Sequence, residues 1–125
     1  SHINPQQIPH LLAEQHKELN QLIPESHLKA KQIAHLQSTY GLEALSTIAN
    51  SSIKDLKPIS QTIPICLAEV KHAVQNEHAL TPTDILARRC RLAMVNLNEA
   101  KQLIPTIQRY LKDVRIKTDE INLEN

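Results

Sequence analysis

The sequence predicts an all-α fold, a compact bundle of about five to six short helices. Three observations carry that reading. Apolar residues recur at steps of three and four along the whole chain, with no run of strict alternation. Most prolines and the single glycine fall where one periodic stretch gives way to the next. The chain has 125 residues, 41% hydrophobic and 22% charged, enough for one domain with its own core.

Ile8, Leu11, Leu12, Gln15, Leu19 and Leu22 mark a first helix, with Pro9 in its opening turn and Pro24 past its end. Ser26 can cap a second helix, which carries Leu28, Ile33, Leu36 and Tyr40 on one side. It stops at Gly41, the residue type that accepts a left-handed backbone. A short third helix holds Leu42, Leu45 and Ile48, and Asn50-Ser51-Ser52 ends it with side chains that compete for backbone hydrogen bonds. Residues 50 to 62 read as a loop.

Pro64 suits the first turn of a fourth helix, in which Ile63, Leu67, Val70 and Val74 share a stripe and Glu77 extends it. Thr81-Pro82-Thr83-Asp84 is a helix start: Thr81 caps, Pro82 takes the first position and Asp84 the third. The fifth helix carries Leu86, Cys90, Ala93 and Leu97, along with Arg88, Arg89 and Arg91. A sixth has Ala100, Leu103, Ile104, Ile107, Leu111 and Val114 on one face, and Pro105 inside the pattern should kink or restart it. The core runs from about 8 to 114, and residues 117–125 form a polar, frayed tail. Ser1-His2 has the look of a tag remnant, and the chain reads as one domain excised from a longer protein.

Composition excludes several functions. A net charge of +1 gives no field that gathers nucleic acid or anionic lipid. One glycine cannot build a phosphate-cradling loop, and two tyrosines with no Phe or Trp cannot build a base-stacking platform. Cys66 and Cys90 form no CxxC pair and suit a reducing compartment, and no apolar run is long enough to span a bilayer.

Three groups of residues invite chemistry. The seven histidines invite a metal, but His10 and His16, like His72 and His78, are six apart and miss the i, i+4 register that puts two imidazoles on one face. A Cys–His nucleophile would need an electropositive cleft, whereas both cysteines lie in or beside apolar stripes. Arg88, Arg89 and Arg91 could grip a phosphate or carboxylate. Arg89 falls at the margin of the core, so it needs an internal carboxylate, and Glu69 and Glu77 on the preceding helix are the natural candidates. The expected structural network is therefore Glu69, Glu77, Asp84, Arg88, Arg89 and Arg91, with Tyr40, Gly41, Thr81 and Pro82 at helix ends and no catalytic, cofactor or metal residue.

From Ile63 to Ala100 the sequence resembles the C-terminal helical domain of FAD-dependent glycerol-3-phosphate dehydrogenases. Ala68-Glu69-Val70, the acidic Glu77, Asp84 and Leu86-Ala87-Arg88-Arg89-Cys90-Arg91-Leu92 match the family's A-E-V and L-x-R-R-T-R-L segments, and Pro105 falls at the family's proline. Upstream, His35-Leu36 and Tyr40-Gly41-Leu42 resemble its H-L-x-x-x-Y-G stretch. Cys90 and Gln75 depart from the usual Thr and Arg. The resemblance implies a parent enzyme that oxidises glycerol 3-phosphate to dihydroxyacetone phosphate, passing hydride to FAD and electrons to quinone or oxygen. It also implies that FAD is held elsewhere in the parent, that this domain packs on the flavin-binding domain of the same chain, and that nucleic acid is not a partner. The parent would be cytoplasmic or peripheral on a cytoplasmic or mitochondrial inner membrane. A free-standing helical adaptor, and a phosphate-binding module using Arg88 and Arg91, are the alternatives.

Overall fold

The computed structural model describes residues 4–76, 81–89 and 97–124, with side chains at 4–76, 81–85 and 98–112. The described residues are helical with short connections, in the order α1 (Ile8–Leu22), α2 (Lys29–Tyr40), α3 (Ala44–Ile48), α4 (Ile53–Leu56), α5 (Leu67–Asn76), α6 (Pro82–Arg89) and α7 (Leu97–Glu124). The all-α reading holds. Single 3₁₀ turns at Pro5–Gln7 and Gly41–Glu43 lead into α1 and α3.

α1 has the bounds its apolar spacing predicts, with Pro9 in its first turn. α2 starts later than Ser26 suggests, because Ser26 forms a tight turn instead: its Oγ accepts from Leu28 N at 3.2 Å and its carbonyl from Lys29 N at 3.2 Å. Gly41 ends α2 at φ 60 and ψ −134, with its N–H bonded to the Gln37 carbonyl. The positive φ is as expected, but the ψ lies outside the left-handed helical well, in a region that only glycine enters freely. Asn50, after α3, also has positive φ, at 67.

Two boundaries need correction. The loop expected over 50–62 contains α4, which Ser52 caps by accepting the Asp55 N–H on its side chain at 3.3 Å. The helix expected from Pro64 begins instead at Leu67. Residues 63–66 are not helical: Cys66 is bridged antiparallel to Pro58, the Ile59 N–H bonds to the Ile65 carbonyl at 2.9 Å, and the Ile65 N–H bonds back to the Ile63 carbonyl at 2.9 Å in a tight turn about Pro64. Ile63 and Ile65, both 0% exposed, enter the part of the core beside α7 while Cys66 enters the part beside α2, an arrangement held by the Pro58–Cys66 pairing.

α6 starts as predicted, with the Asp84 N–H donating to Thr81 Oγ1 at 3.0 Å. α7 is continuous through Pro105 and does not restart there. Pro105 is exposed, so the carbonyl that loses its partner can be hydrated. The backbone is helical past Lys117 as far as Glu124. Cys90, Glu77 and Arg91 lie outside the described residues.

The core has two parts. α5, α6, α7 and the segment before α5 enclose Ile63, Ile65, Val70, Ala73, Ile85, Ala100, Leu103, Ile107 and Leu111. α1 to α4 and the start of α5 enclose Leu19, Ile23, Ile33, Leu36, Ala44, Ile48, Leu56, Cys66 and Ala68. The segment before α5 joins the two. Ser60 Oγ donates to Glu99 of α7 at 2.5 Å and accepts the amides of Thr62 and Ile63, while His27 Nε2 meets the Gln61 carbonyl at 2.8 Å.

Candidate functional site

The most built polar site centres on Glu69, a charged-type residue that is 0% exposed. Its position follows from the start of α5. Cys66 precedes the helix and Glu69 is the third helical residue, so the side chain folds back and Oε2 accepts the Cys66 N–H at 3.1 Å. This is half of a capping box, in the part of the helix where the dipole favours a carboxylate. Oε1 accepts two further bonds from α2, from His35 Nε2 at 2.7 Å and from the Tyr40 hydroxyl at 3.1 Å.

An ionised carboxylate only accepts, so His35 presents Nε2–H and leaves Nδ1 facing the Thr39 hydroxyl at 3.4 Å. The Tyr40 ring meets His72 of α5 edge-on, with centroids 5.8 Å apart. Burying a carboxylate is costly unless several donors replace its water, and here three do. Chemically, the arrangement is a clasp between the C-terminal end of α2 and the N-terminal end of α5.

Cys66 belongs to the same site. Burial pushes its thiol well above the usual range, and the field of the Glu69 carboxylate adds to the effect. A buried thiol held protonated is a poor nucleophile and packs as a small apolar side chain. Tyr110 is raised as well, first by burial and then by Asp55.

Three glutamines complete the polar interior. Gln15 donates to the carbonyls of Gly41 and Leu42 at 3.2 and 2.9 Å, and Gln37 donates to Leu12 O at 2.8 Å and to Gln15 Oε1 at 3.0 Å. Gln32 donates to Leu56 O at 2.6 Å. Two surface depressions flank this half. One, of about 280 Å³, is polar and includes Asn50, Ser51, Lys71, His72 and Asn76. The other, of about 300 Å³, is a groove between α1 and the Gly41–Ala44 region, lined by Leu11, Glu14, Gln15, Glu18, Leu42 and Leu45.

The predicted site residues are distributed as follows. Tyr40 and Gly41 end α2, while Thr81 and Pro82 open α6 with the exposed Asp84 in its first turn. Glu69 is buried, and among the described residues its partners are His35, Tyr40 and the Cys66 amide. Arg88 and Arg89 lie in the last turn of α6, and their side chains, like Glu77 and Arg91, fall outside the described set. The role of His35 was missed. The signal available was a glutamate on an apolar stripe, which demands a donor, together with a histidine adjoining the apolar stripe of α2. Among the described residues no group of three or more His, Cys, Asp or Glu could hold a metal ion.

The family model for the C-terminal domain of alpha-glycerophosphate oxidase matches residues 6–120. The mitochondrial glycerol-3-phosphate dehydrogenase of Schizosaccharomyces pombe is 31% identical over 117 residues, covering 74% of this chain and 18% of the relative. The human mitochondrial glycerol-3-phosphate dehydrogenase is 32% identical over 92 residues, covering 69% of this chain and 12% of the relative. A probable mitochondrial glycerol-3-phosphate dehydrogenase of Caenorhabditis elegans is 30% identical over 96 residues, covering 72% and 13%. The chain thus spans less than a fifth of the length of these relatives. No solved structure gives a significant match. With the match extending from the turn before α1 well into α7, the chain belongs to the family of C-terminal domains of alpha-glycerophosphate oxidase.

Proposed function

We propose that this chain is the C-terminal helical domain of a flavoenzyme that oxidises glycerol 3-phosphate to dihydroxyacetone phosphate, with quinone or oxygen taking the electrons from FAD. The observation that carries the reading is the family match over residues 6–120, reinforced by relatives named as glycerol-3-phosphate dehydrogenases. Within that enzyme the domain is structural and packs on the flavin-binding domain. Its most elaborate polar site supports this role, because both oxygens of Glu69 are engaged by internal donors, Oε1 tying α2 to α5 and Oε2 closing the start of α5.

The described residues do not fit a flavin. Gly41, the single glycine, shapes the end of α2, and the buried Gln15 and Glu69 are held by partners inside the domain. FAD binding is assigned to the remainder of the parent chain, and no step of the reaction is placed on these residues. The mitochondrial relatives support attachment of the parent to an inner membrane. No helix among the described residues is long and apolar enough to cross a membrane, so attachment through them would be at the surface. The test is to isolate the parent chain, record its visible spectrum, and follow reduction of a quinone-like dye with glycerol 3-phosphate. A flavin spectrum bleached by that substrate is expected, and a colourless, inert protein would overturn the proposal.

A further inference from the structure

We infer that the groove beside the first half of α1 is the seat of the preceding domain of the parent chain, which inserts an aliphatic side chain flanked by lysine or arginine. The inference rests on the reading above and adds the surface and the chemistry of the contact.

α1 is amphipathic along its length, yet its buried residues, Gln15 and Leu19, both lie in its second half. No residue from Ile8 to Glu14 is buried, although Ile8, Leu11 and Leu12 are apolar. A surface helix normally covers such a stripe with its own domain. Here Leu11 and Leu22, both on α1, are two of the three large hydrophobic residues that stand exposed among the described ones. Leu11, Glu14, Gln15 and Glu18 lie at steps of three and four, so they form one ridge, and this ridge faces the half-buried Leu42 and Leu45 across the groove.

Two facts identify the occupant. The matched family is a C-terminal domain and its relatives are at least five times longer, so the bulk of the parent precedes this fold. It connects through the Pro5–Gln7 turn, which leads directly into the uncovered half of α1, one helical turn before Leu11. The titratable groups that line the groove are Glu14 and Glu18, both acidic, with Lys17 paired to Glu14 at 3.6 Å on the exposed side. An apolar floor with an acidic rim suits an aliphatic knob between basic side chains.

The test is thiol footprinting of the full parent chain. Leu11→Cys, Leu45→Cys and, as a reference on α4, Ile53→Cys are alkylated under native conditions and read site by site by mass spectrometry. Alkylation of the two groove positions at least roughly tenfold slower than at Ile53→Cys is expected, along with faster labelling of Leu11→Cys when Glu14→Lys and Glu18→Lys are added. Equal rates in a parent that carries flavin and oxidises glycerol 3-phosphate would overturn the groove while leaving the proposed function intact. Protection in a parent that carries no flavin would support the groove and sink that function. Protection that disappears on dilution as the particle mass halves would assign the groove to a second copy and overturn the inference.

Discussion

The two parts of the core are held by different physics. The part enclosed by α5, α6 and α7 is aliphatic, with Ile63, Ile65, Val70, Ile85 and Ile107 all at 0% exposure. Its order comes from shape and from area removed from water. The part built on α1 to α4 contains the four buried polar residues among those described, Gln15, Gln32, Thr47 and Glu69. There α1, α2, α4 and α5 are registered by directed bonds: Gln15 to the Gly41 turn, Gln32 to Leu56, and Glu69 to His35 and Tyr40. Shape tolerates substitution that conserves volume, whereas directed bonds tolerate substitution that conserves donors and acceptors.

The largest effect is expected at the clasp. Glu69→Ala leaves His35, Tyr40 and the Cys66 amide without their acceptor and should cost about 3–5 kcal/mol, read as a lower urea midpoint. Glu69→Gln hardly changes volume, yet it should still cost about 1–3 kcal/mol, because an amide NH₂ must face one of the three donors. Unchanged midpoints for both variants would erase the distinction between the two halves. In the aliphatic half, Ile107→Ala should cost about 2–5 kcal/mol through a cavity, while the volume-conserving Ile107→Leu should cost less than about 1.5 kcal/mol. The contrast between the two conservative changes, Glu69→Gln and Ile107→Leu, is the sharpest test of the comparison.

Smaller effects concern the edges. Gly41→Ala should cost about 1–3 kcal/mol by thermal denaturation. The cause is the backbone alone, since a Cβ there would meet no atom within 4 Å. Thr81→Ala removes the acceptor for the Asp84 N–H and should cost about 1 kcal/mol. The smallest effect at neutral pH belongs to Cys66. Its folded thiol keeps its proton to higher pH than the unfolded thiol does, so in alkali the unfolded state binds fewer protons and stability falls as pH rises past the usual thiol range. Cys66→Ala should flatten that alkaline slope in a pH series of urea midpoints.

Helix positions were largely legible in the sequence because local signals set them. The bounds of α1 follow from Ile8 to Leu22 spacing between prolines, and the start of α6 from Thr81 and Pro82. α4 was not read, although Ser52 and Asp55 stand in cap and third position, because four residues are too few for periodicity to register. The displaced start of α5 was not legible. Pro64 fits a first turn equally well, and only the pairing of Pro58 with Cys66 and the burial of Ile63 and Ile65 select the non-helical form. For the candidate site, local reasoning identified Glu69 as a buried carboxylate and could not identify its donors. His35 is 34 residues away, and no spacing rule reaches across two intervening helices.

The segment between α4 and α5 has a consequence for how this family can vary in length. Connections between helices are usually where insertions accumulate. Here the connection is itself a fastener, fixed to α7 through Ser60 and Glu99, to the turn before α2 through Gln61 and His27, and to itself through the Pro58–Cys66 bridge. An added residue anywhere from 58 to 66 would break one of those attachments and misplace Glu69 at the head of α5. Relatives that gain or lose residues should therefore do so at the exposed Asn50 turn and keep the 58–66 stretch at constant length.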